Sequence, residues 1–213
     1  LIGLSLFFIG TTMATNTTTK LEAVNIMLAS IGESPVSSLD GSSLVDVSIA
    51  VSIIDETSRS IQAMGLHCNS EHDFPLVPNT DGELLVPSNC LKIDTTHSSQ
   101  DVDVVQRGSR LYNRKTFSYT TFVGTYYVDM VLLLNFEDLP EHVKRYITVK
   151  SARRFQGRFM GSETLGGFTE RDESEAIIYF EQCEAQTEDS NMLTDSYDIA
   201  KIVIRGAPRR AVR

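Results

Sequence analysis

Tryptophan is absent from the 213 residues, and only three cysteines and six prolines occur. The cysteines, Cys68, Cys90 and Cys183, are widely spaced and odd in number. That argues against a disulfide framework and leads us to expect reduced thiols in a cytoplasmic setting. Positive charge is scarce, with 19 Lys and Arg against 28 Asp and Glu and a formal net charge of −9. Such a chain is poorly suited to sequence-tolerant DNA binding, which displaces counterions with clustered Lys and Arg. The sequence has no glycine-rich phosphate loop, no GxSxG nucleophile elbow and no tandem repeat.

Long apolar runs are missing too. The first ten residues, LIGLSLFFIG, are uncharged and apolar. They fall well short of the roughly 20 residues of a membrane-spanning helix. No basic residue precedes them, as a signal peptide requires. We read residues 1–16 as an N-terminal extension, upstream of a start at Met13. A buried N-terminal arm ranks second and a membrane anchor third. What remains is ordinary globular composition, 41% hydrophobic and 22% charged, in a chain long enough for one good core or two small ones.

The most structured stretch is Lys20 to Gly41. Leu21, Val24, Leu28 and Ile31 fall on one helical stripe. Thr17, Thr18 and Thr19 offer N-caps, and Gly32 stands where a left-handed C-terminal cap belongs. Pro35 stops continuation, and Asp40-Gly41 makes a turn. A second helix is expected from about Ser43 to Met64, with Val47, Ala50, Val51, Ile54, Ser58 and Ile61 on its inner stripe and Gly65 at its end. The two form an antiparallel pair.

Between His67 and Leu134 the period shortens. Strands are expected near Leu84–Val86, Leu91–Asp94, Val102–Arg107, Arg110–Asn113, Phe117–Phe122 and Tyr126–Leu134, with a turn at Arg107-Gly108-Ser109. Helix resumes at Pro140 with Glu141 beside it and ends at Gly161. It has Val149, Ala152, Phe155 and Phe159 on one face and Lys150, Arg153, Arg154 and Arg158 on the other. A last helix is expected from Thr169 to Glu188, after Gly166-Gly167. Eleven acids and one base, Arg171, lie between Glu163 and Asp198. From Ile199 onward there are five bases and no acid.

Three segments, in order, carry a family resemblance. AVNIMLASIGESPVSSLDG from Ala23 resembles the opening of tail tubular protein A, the adaptor of short-tailed bacteriophages. LPEHVKRYITVKSARRFQGRFMGS from Leu139 agrees, as does the acidic helix running into SNMLTDS at Ser190. The middle agrees in strand-like character and position. The resemblance implies a structural virion protein. Its copies would form a dodecameric ring between portal protein and tail nozzle protein. Genomic DNA would pass through the lumen without specific binding, and tail fibre protein would attach nearby. It implies a place in the virion tail after synthesis in the host cytoplasm, and no membrane partner.

Candidate chemistry is thin. His67, Cys68, His72 and Cys90 can be drawn as a zinc set, but their spacing fits no closed metal frame, and packing and turn roles are favoured. Asp101 and Asp103 alternate, so one strand face would hold both, and a solvated face explains them. Glu170, Asp172, Glu173, Glu175, Glu181, Glu184 and Glu188 offer many carboxylates. A hydrolase, however, needs one of a pair raised in pKa by burial beside an ionised partner. A solvated helix, partly neutralised by the basic face before it, is the simpler account. That neutralisation also weakens Lys150 to Arg158 as a nucleic-acid patch.

The sequence therefore reads as α+β. A helical bundle domain (residues 17–66 and 139–190) flanks a small antiparallel β sandwich or barrel (67–138) and precedes a C-terminal tail (191–213). No catalytic, cofactor-binding or metal residue is assigned, and no enzyme activity is expected. The candidate docking residues are Ile202, Val203, Ile204, Arg205, Arg209 and Arg210 of the tail. The alternatives are another phage head–tail connector or neck protein, a virion-associated cell-wall hydrolase, or a bacterial adaptor unrelated to phage.

Overall fold

Thr19 opens the first helix. Its hydroxyl accepts from the Glu22 amide, and the Glu22 carboxylate accepts from the Thr19 amide at 2.9 Å. This reciprocal capping box satisfies two otherwise orphaned donors. Helix α1 spans Lys20–Ser30 and α2 spans Val45–Gln62. The computed structural model describes residues 17–39, 45–96, 99, 101–159 and 163–187. At the end of α1, Glu33 N–H reaches the Leu28 carbonyl and Gly32 N–H the Ala29 carbonyl, with Gly32 at φ +84°. This is the double-bonded left-handed cap that glycine permits. Asn25 then clamps the outgoing loop, accepting from Val36 N–H at 2.8 Å and donating to its carbonyl at 3.0 Å.

Five strands follow: β1 (Ser70–Leu76), β2 (Cys90–Thr95), β3 (Val104–Arg107), β4 (Arg110–Asn113) and β5 (Tyr126–Leu132). They form an antiparallel sheet ordered β1-β5-β2 and a two-stranded β3-β4 sheet. Helices α3 (Glu141–Phe159) and α4 (Glu163–Thr187) complete the described chain. The fold is α+β.

Several elements differ from the sequence reading. β1 had not been expected. Pro75 sits within it, opposite Tyr127. β1 is a sheet edge, where a missing N–H costs no ladder bond. It also carries a bulge between Glu71 and Phe74, with Asp73 at φ +51°. Residues 84–86 hydrogen-bond alongside β4, through Leu111 N–H to Leu84 O and Val86 N–H to Ser109 O, without becoming a strand. Residues 117–122 are not a strand either. Phe117 has φ +55°, and the Asn113 side chain accepts the amides of Lys115 and Thr116, folding the chain into a turn. Asp101 and Asp103 precede β3 rather than alternating along it. Their carbonyls accept from the Lys115 ammonium and the Arg114 amide. The last helix begins at Glu163, ahead of Gly166-Gly167.

Two apolar clusters form. One joins all four helices, with Ala23, Met27, Ile53, Ile54, Ile61, Val143, Ile147, Phe155 and Phe180 buried in it. The other joins the two sheets through Leu76, Leu84, Val104, Leu111, Phe122, Val128 and Met130. Buried amides hold the passage between them. Gln62 donates to the Leu134 carbonyl at 3.1 Å and accepts from its N–H at 2.8 Å. Asn69 donates to the carbonyls of Gln62 and Leu132, and accepts from Leu66 N–H. Both side chains are almost fully buried, so each polar atom needs these partners.

Candidate partner-binding surface

The start of α1 is gripped by acids from elsewhere in the chain. Glu141, in the first turn of α3, accepts from both the Thr18 amide and its hydroxyl. Glu137 accepts from the Lys20 amide at 2.9 Å. Carboxylates are favoured there because unsatisfied amides leave partial positive charge at a helix start. Lys20 reaches Asp55 on α2 at 2.6 Å. The Lys20–Asp55 pair and Glu137 line a cleft of about 380 Å³, with Ser58, Arg59, Asn89 and Leu134 among its other walls.

The basic face of α3 is largely occupied. Arg153 bonds Glu173 and Glu170 of α4, and the Glu173 contact foremost raises its guanidinium pKa further. Arg154 and Arg158 both face Glu56 on α2 instead, at 3.8 and 3.6 Å. Lys150 lies over the Tyr146 ring and donates to its hydroxyl. The neutralisation expected from α4 is therefore shared with α2, which sequence spacing did not indicate.

The nearest approach to a catalytic constellation lies where α4 crosses α3. His142 Nε2 is 2.8 Å from Glu184 Oε1, and Glu184 Oε2 accepts the His67 amide at 3.0 Å. Cys68 lies beside them. Burial, then the Glu184 charge, pushes its thiol above the ordinary range. A cysteine nucleophile needs the opposite shift, so this cluster acts as a clamp on α4. Phe180 completes it, stacked on Tyr146 with ring centroids 5.0 Å apart.

His72 stands on β1 near Asp129, and Cys90 opens β2 with its thiol on the Lys92 carbonyl. Among the described residues no three His, Cys, Asp or Glu side chains converge to hold a metal ion. No described helix is long and apolar enough to cross a membrane. The tail residues Ile202, Val203, Ile204, Arg205, Arg209 and Arg210 lie outside the described residues, as does Glu188.

Two surfaces remain with groups turned outward. A groove of about 340 Å³ between α1, α3 and α4 has Ile26, Val149 and Ala152 on its walls, with Arg145, Asp172 and Glu175. On the β side, the β3-β4 sheet buries Val104 and Leu111 and turns Val105, Arg107 and Arg110 to solvent. Arg107 stacks on Tyr112 at 3.7 Å, and Arg110 lies 4.8 Å from the Tyr119 ring. Nothing in the sequence announced this stack, because Tyr119 comes from the turn that had been read as a strand.

Two apolar clusters, ion pairs met within the chain and exposed charged and apolar surfaces make up the described part of the molecule. The family model described as tail tubular protein matches residues 21–190, and the chain belongs to that family. It is a structural component of a phage tail. No curated protein matches it.

Proposed function

We propose that this tail tubular protein is the adaptor of a short non-contractile tail. Copies form a closed dodecameric ring between portal and nozzle, and DNA leaves through its channel. The observation that carries the reading is the family match, which takes in both helical segments and the β-rich middle. The net charge of −9 is consistent with it, since a negative wall does not retain passing phosphates. Tail fibres attach near the ring.

Residues 17–66 and 139–190 form one domain and 67–138 a second, a division supported by the two separate apolar clusters. The tail docks on a neighbouring subunit or on the portal. Ile202, Val203 and Ile204 supply apolar contact, and Arg205, Arg209 and Arg210 meet carboxylates there. Electron microscopy or native mass measurement of the full chain with portal protein tests the ring, and a stable monomer in the presence of both neighbours would overturn it. Deleting residues after Ala200 tests the tail. Attachment to portal-bearing capsids is expected to fall, and unchanged attachment across a range of salt would refute docking on the portal.

A further inference from the structure

From Val104 to Val128 the chain carries Arg107, Arg110, Arg114 and Lys115 and no acid, although the whole protein has a net charge of −9. Glu83 and Asp103, from outside the stretch, pair with Arg110 and Arg114, and Arg107 and Arg110 sit on a built surface. Val105 pairs with Tyr112 and Arg107 with Arg110 across the β3-β4 ladder, so the four share the face turned from the apolar cluster. Leu85 adds to its edge through a bridge to Arg110 and is 54% exposed. Tyr112 and Tyr119 meet edge-on with centroids 4.9 Å apart, and each ring carries a guanidinium over it. Arginine and tyrosine in such a rigid stack are the residue types that dominate protein interfaces.

The opposite chemistry lies on α4. Glu175 and Glu181 are exposed there on either side of Ile178, which is 54% exposed, and Arg171 pairs with Glu175 at 3.0 Å. Ala176 and Phe180 face the helical core. One surface offers Arg107, and Arg110 with its Glu83 partner, beside Leu85 and Val105, and the other offers Glu181, and Glu175 with its Arg171 partner, beside Ile178. They sit on different apolar clusters, so a contact between them joins unlike patches and propagates around an axis.

We propose that the Arg-Tyr face of β3-β4 in one copy binds the outer face of α4 in the next copy. This rests on the ring reading above and names the interface that closes it. Single-stranded nucleic acid is the rival occupant, but base stacking requires open aromatic faces. Here guanidinium groups lie over both rings, and Arg110 bonds the Glu83 carboxylate from that position, so the stack receives carboxylates at its edge.

A charge exchange tests the proposal. One full-length variant carries Arg107→Glu and Arg110→Glu, and another carries Glu175→Lys and Glu181→Lys. Each alone is expected to need roughly tenfold or more higher concentration to assemble, because like charges then meet at every boundary. Mixed in equal amounts, the two should assemble at the wild-type concentration with alternating subunits, read by native mass measurement. That rescue also shows that both variants fold. If wild type assembles and both variants assemble equally well alone, the interface lies elsewhere and the ring reading stands. Folded but impaired variants that do not rescue each other also refute the pairing. Thermal melts check folding, and Arg107→Glu alone, which spares the Arg110–Glu83 bridge, repeats the test if the double variant is unfolded. A wild type that stays monomeric even with portal protein overturns the ring reading itself. Tight binding of a labelled single-stranded oligonucleotide, lost with Arg107→Glu, would assign the face to nucleic acid instead.

Discussion

Replacing Gln62 with leucine should weaken the passage between the two apolar clusters more than its position at a helix end suggests. The side chain is fully buried at the last residue of α2. Its Nε2 donates to Ser58 Oγ and the Leu134 carbonyl, and its Oε1 accepts from the Leu134 N–H. Leucine has similar bulk but none of these groups. Ser58 can turn its hydroxyl elsewhere, whereas the Leu134 amide and carbonyl are fixed in the chain. Each orphaned backbone group costs about 1–3 kcal/mol when water cannot replace the partner. Leu134 is half-buried, so some hydration returns, and leucine's greater hydrophobicity offsets part of the rest. We expect a net loss of about 2–4 kcal/mol. For a chain of this size that lowers the melting temperature by roughly 5–15 °C.

Urea unfolding followed by two probes measures this. Far-ultraviolet circular dichroism reports chiefly the helices. With no tryptophan present, tyrosine emission is directly usable, and four of the seven tyrosines, Tyr112, Tyr119, Tyr126 and Tyr127, lie on the β side, against Tyr146 on α3 and Tyr179 on α4. In the variant the two transitions should separate, since the bonds removed anchor the segment that leads from β5 into the helical cluster. A loss under about 0.5 kcal/mol, the range of ordinary surface changes, would refute the reasoning. So would a large loss with transitions that still coincide, which would make Gln62 a general core residue and not a connector.

Ser151 is fully buried on α3 and its Oγ has no hydrogen-bond partner among the described residues. Ser151→Ala should therefore raise stability by about 0.5–2 kcal/mol, and a lower urea midpoint would count against that. Gly82 has φ +74°, and a Cβ there would sit 2.7 Å from the Thr120 carbonyl oxygen. Gly82→Ala should cost about 1–3 kcal/mol, and a variant melting with wild type would show that the 79–83 turn yields freely. The Arg110 hydrogen bond, above all, holds the Glu83 carboxyl below its ordinary range. Its contribution is complete above the ordinary carboxylate range and is lost as pH falls through the depressed value. The stability gap between wild type and Glu83→Gln should therefore close on acidification, and a gap unchanged at about pH 2 would contradict the assignment.

The helices were legible because their signals are local. Val47, Ala50, Val51, Ile54, Ser58 and Ile61 repeat at helical spacing, and all but the half-buried Val51 are buried where the stripe placed them. Thr19 and Gly32 cap α1 through bonds that span only a few residues. β2, β3, β4 and β5 were also found to within a few residues, since apolar and β-branched side chains cluster there. β1 escaped because its stability is borrowed. Glu71 to Pro75 are all exposed, so no alternation marks them. The strand exists because β5 offers a free edge, and because the Asp129 carboxylate accepts the Asp73 amide within the bulge.

Partner choice among charged side chains was the least legible feature, and the reason is geometric. Spacing along α3 groups Arg153, Arg154 and Arg158 on one side, but a helix surface touches more than one neighbour. Arg153 meets α4, while Arg154 and Arg158 meet Glu56, nearly a hundred residues earlier in the chain. Charge counting along the sequence assigns all three to the acidic helix that follows, and so overestimates how much of α4 is neutralised. Arg153 takes up Glu170 and Glu173, Glu184 turns inward to His142, and Arg171 answers Glu175. Asp172 and Glu181 stay exposed, on opposite sides of the same helix. Because α2 takes two of the arginines, Glu181 on the outer side of α4 keeps its negative charge. A cationic face such as Arg107 and Arg110 on another copy has a carboxylate to meet there for that reason.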